Sequence, residues 1–493
     1  MTFETVPPSP ESLVESLRSV GYSLPTALAD IIDNSIAAGA KNIWVHFHWA
    51  GKDSHVSIMD DGCGMNEEEL RAAMRHGSKN PKDPRDPKDL GRFGLGLKTA
   101  SLSQSRNLSV ISRVKGCAPV SRTWDLDELA SSGDWRLLIS PSRAAALMIP
   151  ELQRLDSGTV VVWSDLDRMV GAAACGSAVD RDRFLAAVEN AVEHLSMTFH
   201  RFLGEGSLKI YVNGTPVAAW DPFMQSGATR STATPEERIT YGESHVEFCG
   251  FVLPHRDRLT DEEFNLNQGP KGWAGQQGFY VYRNKRLLVS GDWLRLGKPS
   301  SWTKEEQYRL ARIRLDIPND CDADWHLDVK KSTARPPALL RDRLTELADN
   351  VRAQARSVFA HRGKYGKRTI PEKQPERPWK SVTRDNRRVY SVNRDHPAVR
   401  VVLSAFPNRQ PELEALIRVL EETVPVEQIW LDVAEQQNEH AAPYASVDTA
   451  LLKADMRRVV DFLCNSGMTR EKAIQTLHSM EPFDRYPRFI KEL

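Results

Sequence analysis

Residues 28–36 read LADIIDNSI and predict a helix with one buried face. The apolar residues of that face recur at helical spacing: Leu28, Ile31, Ile32 and Ile36. Asp30 and Asn34 are four positions apart and therefore share another side of the helix. A carboxylate can orient or deprotonate water, and an amide oxygen is a suitable ligand for Mg²⁺. The pair is a candidate for phosphoanhydride hydrolysis, with the polar face of a surface helix as the alternative.

Two strands follow this helix, at residues 43–49 and 56–59, and the second leads into an acidic turn. The turn, residues 60–65, reads DDGCGM. Asp60 stands where the strand ends and can accept a hydrogen bond from an exocyclic amine. Gly62 and Gly64 allow the backbone to approach a flat base closely. An acidic surface turn is the alternative interpretation.

Two further segments carry glycine beside polar residues. Residues 91–98 read GRFGLGLK and enter a helix near Lys98, so that backbone N–H groups and a lysine charge can hold an anion. The alternative is that this glycine motif arises by chance.

Residues 77–90 have too few apolar side chains to pack and predict a mobile loop. Thr159 opens an apolar strand, where a hydroxyl is commonly only a strand-edge hydrogen-bonding group.

The four segments in this order resemble the Bergerat ATP-binding fold of the GHKL superfamily. The motifs are D-x-x-x-N, D-x-G-x-G, G-x-x-G-x-G-L-K and G-T before a strand, over roughly residues 15–165. The superfamily includes gyrase B subunits, heat-shock-90 chaperones, histidine kinases and MutL. The chain resembles bacterial MORC-like ATPases and heat-shock-90-like ATP-binding proteins.

The resemblance implies ATP and Mg²⁺ as cofactors and assigns roles to individual residues. Asn34 would ligate Mg²⁺, Asp60 would bind the adenine amine, and Thr159 would bridge to the adenine. The base pocket would be shaped by Gly62, Gly64 and Met65. The phosphates would be held beneath a lid of residues 77–97 by Gly94, Leu95, Gly96, Leu97 and Lys98. Asp30 would act as general base in place of the family's glutamate. Its shorter side chain implies either a closer helix or slow hydrolysis.

An α+β region follows the ATP-binding region and limits the resemblance to members of the superfamily that carry a second α+β domain. Strands are expected at residues 208–212, 248–253, 278–282 and 313–317, with a closing helix at 337–360. The region resembles the S5-like transducer domain of gyrase, MutL and MORC proteins, in which a lysine reaches the γ-phosphate. Lys330 or Lys331 would be that lysine, unless both belong to a solvated loop. A basic turn with Arg283, Lys285 and Arg286 would contact nucleic acid or a partner, or is only solvated.

These patterns predict an α+β protein: a Bergerat-fold ATP-binding sandwich (residues 1–175), an S5-like transducer (176–361), a basic flexible linker (362–396) and a small helical C-terminal domain (397–493). The linker has eleven Lys and Arg residues between Arg362 and Arg394 in a chain whose formal net charge is zero. It is expected to bind DNA, with a solvated spacer as the alternative.

The composition argues against a membrane-spanning protein and against a metal site built from cysteines. The chain of 493 residues has no apolar run that spans a bilayer, and its six cysteines lack metal-ligand spacing. We therefore expect a cytoplasmic protein without a membrane partner. The resemblance further implies a homodimer that forms on ATP binding, action on DNA or a DNA-bound partner, and other proteins of a bacterial antiviral defence system as partners. The alternative function is a nucleotide-gated scaffold that hydrolyses little ATP and signals to a partner protein.

Overall fold

The strands predicted at residues 43–49 and 56–59 lie at the centre of a mixed sheet. Among the described residues this first sheet has seven strands: β1 (Asn42–His48), β2 (His55–Asp60), β3 (Asn107–Arg113), β4 (Val120–Asp125), β5 (Gly158–Ser164), β6 (Lys209–Val212) and β7 (Thr215–Pro216). Their order is β4-β3-β5-β2-β1-β6-β7. Only β1 and β6 pair in parallel among these described neighbours. Asp60 at the end of β2 stands opposite Thr159 of β5.

The computed structural model describes most of the chain. The described residues are 9–19, 21–75, 77, 96–171, 173–241, 244–318, 324–325, 334–361, 377–384, 387–426, 429, 444, 448–465, 467–478, 480 and 482–493.

Helices cover both faces of the first sheet. They are α1 (Pro10–Arg18), α2 (Leu24–Ala37), α3 (Glu67–Met74), α4 (Gly96–Leu102), α5 (Leu126–Ser132), α6 (Arg143–Ala146), α7 (Ile149–Leu152), α8 (Ala178–Thr198) and α9 (His200–Gly204). The main core lies between the sheet and helices that include α2, α4 and α8. A smaller core joins α6 and α7 to the opposite face. Burial on both faces explains why β2 and β5 are almost continuously buried.

Local signals in the sequence start two of these helices. Ser23 and Thr26 form a reciprocal capping box at α2. Asn66 and Glu69 form another at α3, as an Asn followed three residues later by a Glu predicts. The helix predicted from residues 28–36 is confirmed, because Leu28, Ile31 and Ile32 are buried in the main core. The helix ends at Ala37, two residues before a glycine with a left-handed backbone.

A second sheet follows, whose described strands are β8 (Thr232–Ala233), β9 (Glu237–Tyr241), β10 (Ser244–Val252), β11 (Gly278–Arg283), β12 (Arg286–Asp292) and β13 (Ala311–Ile317). The order is β12-β11-β13-β10-β8, with β9 beside β10. β11 and β13 are parallel, so their carboxyl ends lie at the same edge. The helices of this part are α10 (Asp261–Asn267), α11 (Gly272–Gly275) and α12 (Ala338–His361), of which α12 packs on β10 and β13.

The strands predicted at residues 248–253, 278–282 and 313–317 and the helix at 337–360 are confirmed. The strand predicted at 208–212 also forms, but it belongs to the first sheet and not to the second region. Its parallel partner β1 is far away in the chain, and local alternation does not reveal such a pairing.

The chain divides into compact units of residues 1–365 and 366–493. The second unit has strands at Trp379–Arg384 and Arg387–Val392. Its described helices are Pro397–Ala405, Gln410–Glu422, Thr449–Asn465, Arg470–Leu477 and Pro487–Ile490. The core of this unit lies mainly between Thr449–Asn465 and Arg470–Leu477.

The prediction of poor order between residues 362 and 396 requires a correction. Residues 379–384 and 387–392 pair as antiparallel strands. Their β-branched and aromatic side chains favour strands. The strand pattern was not recognised in the sequence because basic residues are so frequent in this segment. Residues 362–376 lie outside the described part of the chain, and the divisions at 175, 361 and 396 remain predictions.

The predicted α+β class is confirmed. Both sheets are mainly antiparallel and pack against helices, and the C-terminal part is largely helical. Across the described ranges, no helix combines the length and the apolar character that crossing a membrane requires.

Candidate functional site

Asp60 lies at the end of β2 with a buried carboxylate. Oδ2 accepts a hydrogen bond from the hydroxyl of Ser35 at 2.8 Å, and Oδ1 accepts one from the amide of Gly62 at 2.9 Å. Burial raises the pKa of this carboxyl above its ordinary value, while hydrogen bonds from Gly62, Ser35 and the amide of Thr159 lower it. A carboxylate has about four acceptor positions, so the hydroxyl of Ser35 and the amide of Gly62 leave room for an exocyclic amine.

The glycines after Asp60 are required by close packing. A Cβ atom on Gly62 would lie 2.9 Å from Oδ1 of Asp60 and 2.9 Å from the Cβ of Ala38. Gly64 has a φ of +71°, and a Cβ there would lie 2.0 Å from the carbonyl oxygen of Arg113. Any other residue would displace the turn or the carboxylate beside it. The sequence D-x-G-x-G therefore fixes the shape of this pocket wall.

Hydrogen bonds connect Thr159 to Met65 through Ser112, a residue that the sequence did not single out. The hydroxyls of Thr159 and Ser112 are 2.8 Å apart, and the amide of Met65 donates to the same Ser112 oxygen at 2.8 Å. Ser112 therefore joins the turn after β2 to β5. The sequence offers little signal for Ser112, because it is one of several polar residues in the buried strand β3.

Asp30 lies in the middle of α2 and is 6% exposed. The hydroxyl of Tyr22 donates to its Oδ2 at 2.8 Å. The same oxygen lies 3.7 Å from the position that a Cβ on Gly96 would occupy. The carboxylate of Asp30 therefore faces the first residue of α4, within the glycine-rich motif. Tyr22 was missed because a tyrosine before a helix has no distinctive pattern.

Asn34 is exposed, one turn after Asp30 on α2. Mg²⁺ in nucleotide sites retains several waters and takes one or two protein ligands beside the phosphates. An exposed amide on the side of α2 that carries Asp30 fits that requirement. No cluster of three or more His, Cys, Asp or Glu side chains suited to a metal occurs among the residues that the structure describes.

The side chain of Lys98 is buried in α4, with 1% exposed. Its ammonium donates to the carbonyl of Ala73 in the last turn of α3 at 2.7 Å, and burial lowers its pKa to about 8. The predicted contact between Lys98 and a phosphate stays a prediction. Leu97 is half-buried and packs against the main core.

Several predicted site residues lie outside the described part of the chain. They are Gly94, Leu95, Lys330 and Lys331, together with most of the predicted lid at residues 77–97.

The basic turn between β11 and β12 differs from its prediction. Arg283 and Arg286 are buried, with 4% and 5% exposed, and neither forms a solvated surface. Arg286 pairs with Asp33 of α2. Lys285 is half-exposed and pairs with Glu205 at 2.5 Å. The two arginines are therefore not available as a basic surface for nucleic acid.

Parts of all four predicted motifs meet around α2. Ser35 connects α2 to Asp60, Asp60 stands beside Thr159, and Asp30 faces Gly96. The arrangement combines an acceptor for an amine, a pocket wall without side chains and a carboxylate oriented by a hydroxyl. These groups are suited to hold a purine base and to activate a water molecule.

Comparisons with known proteins agree with this geometry. The model of the family described as histidine kinase-, DNA gyrase B- and HSP90-like ATPase matches residues 22–159. The DNA mismatch repair protein MutL of Rhizorhabdus wittichii is 36% identical over 127 residues, which are 25% of this chain and 21% of that protein. The ATPase morc-1 of Caenorhabditis elegans is 28% identical over 91 residues, or 18% of this chain and 10% of that protein.

A MutL protein of Thermoanaerobacter is 34% identical over 89 residues, which are 18% of this chain and 14% of that protein. The chain thus spans about a fifth or less of the length of these relatives. The family model covers the region in which the buried carboxylates and glycines lie. Residues 22–159 therefore match the GHKL family of histidine kinase-, DNA gyrase B- and HSP90-like ATPases, which the four motifs also resemble.

Proposed function

We propose that the protein is a Mg²⁺-dependent, MORC-like ATPase that dimerises when ATP binds and acts in the cytoplasm on DNA or a DNA-bound partner. The observation that carries the proposal is the convergence of Asp30, Asp60 and Thr159 within the region that matches the ATPase family. A role in bacterial defence against mobile elements, with other defence proteins as partners, rests on the resemblance to MORC-like proteins.

Different residues of the site bind the base and the phosphates of the nucleotide. Asp60 accepts the adenine amine, and Thr159 bridges to the base through its hydroxyl or a water. Gly62, Gly64 and Met65 shape the base pocket. The phosphates are held by Gly94, Leu95, Gly96, Leu97 and Lys98.

Catalysis requires groups at the other end of the nucleotide. Asp30 acts as general base on the attacking water, and the Tyr22 hydroxyl orients its carboxylate. Asn34 holds Mg²⁺, which supplies charge for the transferring phosphoryl group when bound.

The topology of the second sheet supports a role for Lys330 or Lys331. The last residue of β13, Ile317, pairs with Arg283 at the edge where β11 turns into β12. Arg286 from the same turn contacts α2. The chain that leads to Lys330 and Lys331 thus leaves β13 beside the helix that carries Asp30. A lysine from this segment that reaches the γ-phosphate would connect the second sheet to the bound nucleotide.

A nucleotide-gated scaffold is the second candidate, and the aspartate at position 30 favours it. Its carboxylate is one methylene shorter than the glutamate of related ATPases, which would slow proton removal from water.

Phosphate release distinguishes the two candidates. We expect the purified full chain to release many phosphates per molecule in the presence of Mg²⁺ and ATP, with faster release when DNA is added. A chain whose Asp30 has been replaced by alanine serves as the blank for contaminating ATPases. ATP binding with release of no more phosphate than this blank would contradict the ATPase and support the scaffold.

The proposed DNA contact rests on the basic segment from Arg362 to Arg394. Backbone pairing places Arg384 opposite Arg387 at the end of the paired strands, next to Arg388. Trp379 and Tyr390 are 43% and 37% exposed, and exposed rings can stack on bases. Arg394 pairs with Glu414 and Glu421, so it is the weakest candidate for a phosphate contact. The similar protein MutL is a DNA mismatch repair protein, which is consistent with a DNA partner for this chain.

The salt dependence of DNA binding tests this contact. If about five of the basic side chains meet phosphates, the logarithm of affinity should fall with the logarithm of salt concentration with a slope of roughly −5. Replacing Arg384, Arg387 and Arg388 by alanine should flatten the slope by about 2 to 3 units. The measurement is fluorescence anisotropy of a labelled duplex at several salt concentrations.

A matched control replaces three exposed arginines of the same unit: Arg400, Arg409 and Arg418. This variant loses the same charge and should keep the slope of the unaltered chain. Equal slopes for both triple variants would show that the segment is a spacer.

A further inference from the structure

A buried ion pair joins α2 to the second sheet. Nε of Arg286 lies 3.2 Å from each carboxylate oxygen of Asp33, and the two side chains are 6% and 2% exposed. The residues are 253 positions apart in the chain. Arg286 is the first residue of β12, so the pair connects the strand of one sheet to a helix that packs on the other.

The surroundings of the pair hold the guanidinium in place. Nη1 of Arg286 donates to the carbonyl of Leu287, and the ring of Phe199 lies 5.8 Å from its central carbon. Burial, together with the charge of Arg286, lowers the pKa of His194 on α8 to about 4, so this imidazole is neutral at physiological pH. Among the described charged groups, the guanidinium of Arg286 thus pairs with Asp33, while the imidazole of His194 adds no charge.

The turn that presents Arg286 is tight. Asn284 and Lys285 both have left-handed backbones, with φ of 47° and 68°, and connect β11 to β12 by two residues. β11 is buried along its whole length. The position of Arg286 is therefore fixed by the second sheet and not by a loop with freedom of its own.

Asp33 lies on α2 next to the two residues proposed for catalysis and for Mg²⁺, and moves with them when the helix rotates. It follows Asp30 by three residues and precedes Asn34 directly, so one rotation of the helix moves all three side chains. The tip of a side chain lies about 5 to 6 Å from the helix axis, and a rotation of about 10° displaces it by about 1 Å. A displacement of that size in a catalytic group can reduce a rate by about 100-fold.

A contribution to stability alone is a weak explanation for such a pair. The cost of removing two charges from water offsets much of their attraction, and well-packed apolar residues often stabilise a core equally well. What an ion pair with this geometry provides is a fixed orientation between the two elements that carry it.

We propose that Arg286 is a positioning residue, which holds Asp33 and thereby fixes the rotation of α2 that presents Asp30 to water and Asn34 to Mg²⁺. The inference rests on the proposed ATPase function. It makes hydrolysis depend on the position of β12, so that a movement of the second sheet lowers kcat more than it lowers the affinity for the nucleotide.

The test compares the full chain with Arg286→Gln, Asp33→Asn and the double variant. Each single variant should lower kcat by roughly 10- to 100-fold, while the dissociation constant of ADP, measured by calorimetry, stays within about threefold. The double variant should be no slower than either single variant, because both remove the same contact. Arg286→Lys retains the charge and should recover part of kcat.

Lys285→Gln is the matched control, since it removes the neighbouring cation from the same turn and should leave kcat unchanged. Several outcomes would overturn the inference: equal kcat for Arg286→Gln and Lys285→Gln, additive losses in the double variant, or a loss of ADP affinity as large as the loss of kcat. The last outcome would indicate a general disturbance of the fold. An unaltered chain that neither binds ADP nor releases phosphate would instead refute the proposed function itself.

Discussion

Asp60→Ala is expected to raise the dissociation constant of ATP by roughly 10- to 150-fold, the effect of losing a hydrogen bond to a charged group. The carboxylate is buried, and Ser35 and Gly62 hold it in one orientation. An acceptor position that these two donors leave open is the one proposed for the adenine amine. Alanine removes that acceptor and also leaves the two donors without their partner.

Calorimetry with a non-hydrolysable ATP analogue measures this change, and thermal unfolding shows whether the variant is folded. Asp60→Asn, which preserves volume, provides the same test if the alanine variant is unstable. Asp61→Asn is the control, because Asp61 accepts hydrogen bonds from Lys41 and Asn42 rather than from residues of the pocket. Analogue binding that is equally strong in Asp60→Asn and Asp61→Asn would show that the adenine lies elsewhere.

Asp30→Ala should lower kcat by about 10²- to 10⁴-fold and leave nucleotide affinity nearly unchanged. Asp30 acts on water only as the transition state forms, whereas Asp60 contacts the bound base throughout the cycle. The two carboxylates are therefore expected to separate turnover from binding. Phosphate release and calorimetry on the same preparation of each variant measure the two quantities.

Two further variants refine the test of Asp30. Asp30→Glu restores the side chain of related ATPases, and unchanged or faster hydrolysis would support the assigned geometry. Asp156→Ala is the control, because Asp156 is an exposed carboxylate that pairs only with Lys115 among its described ion-pair partners. Equal loss of ATP binding in Asp30→Ala and Asp60→Ala would mean that the two roles have been assigned incorrectly.

The sequence predicted the parts of the fold that depend on neighbouring residues. The helix around Asp30 and the capping box at Asn66 follow from apolar spacing and from side-chain bonds within one turn. The order of the four motifs, compared with a known family, indicated that they share one site. Each motif alone was compatible with an ordinary surface feature.

What the sequence could not reveal depends on pairings between distant residues. Arg286 belongs to a basic turn that could equally have been solvated, and only its contact with Asp33 gives it a role. Ser112 became relevant because β3 pairs with β5 and brings it to Thr159. Such contacts are determined by sheet topology, and no local pattern of charge or hydrophobicity encodes them.

The parallel pairing of β1 with β6 has a consequence for the way in which the ATP-binding region can be isolated. A fragment cut at residue 175 would lack β6 and β7, and β1 would become an outer strand with unpaired N–H and C=O groups. Such edges recruit strands from other chains and promote aggregation. The self-sufficient piece of this protein therefore extends at least to Val217, whose amide bonds to Ile210 and whose side chain completes the main core.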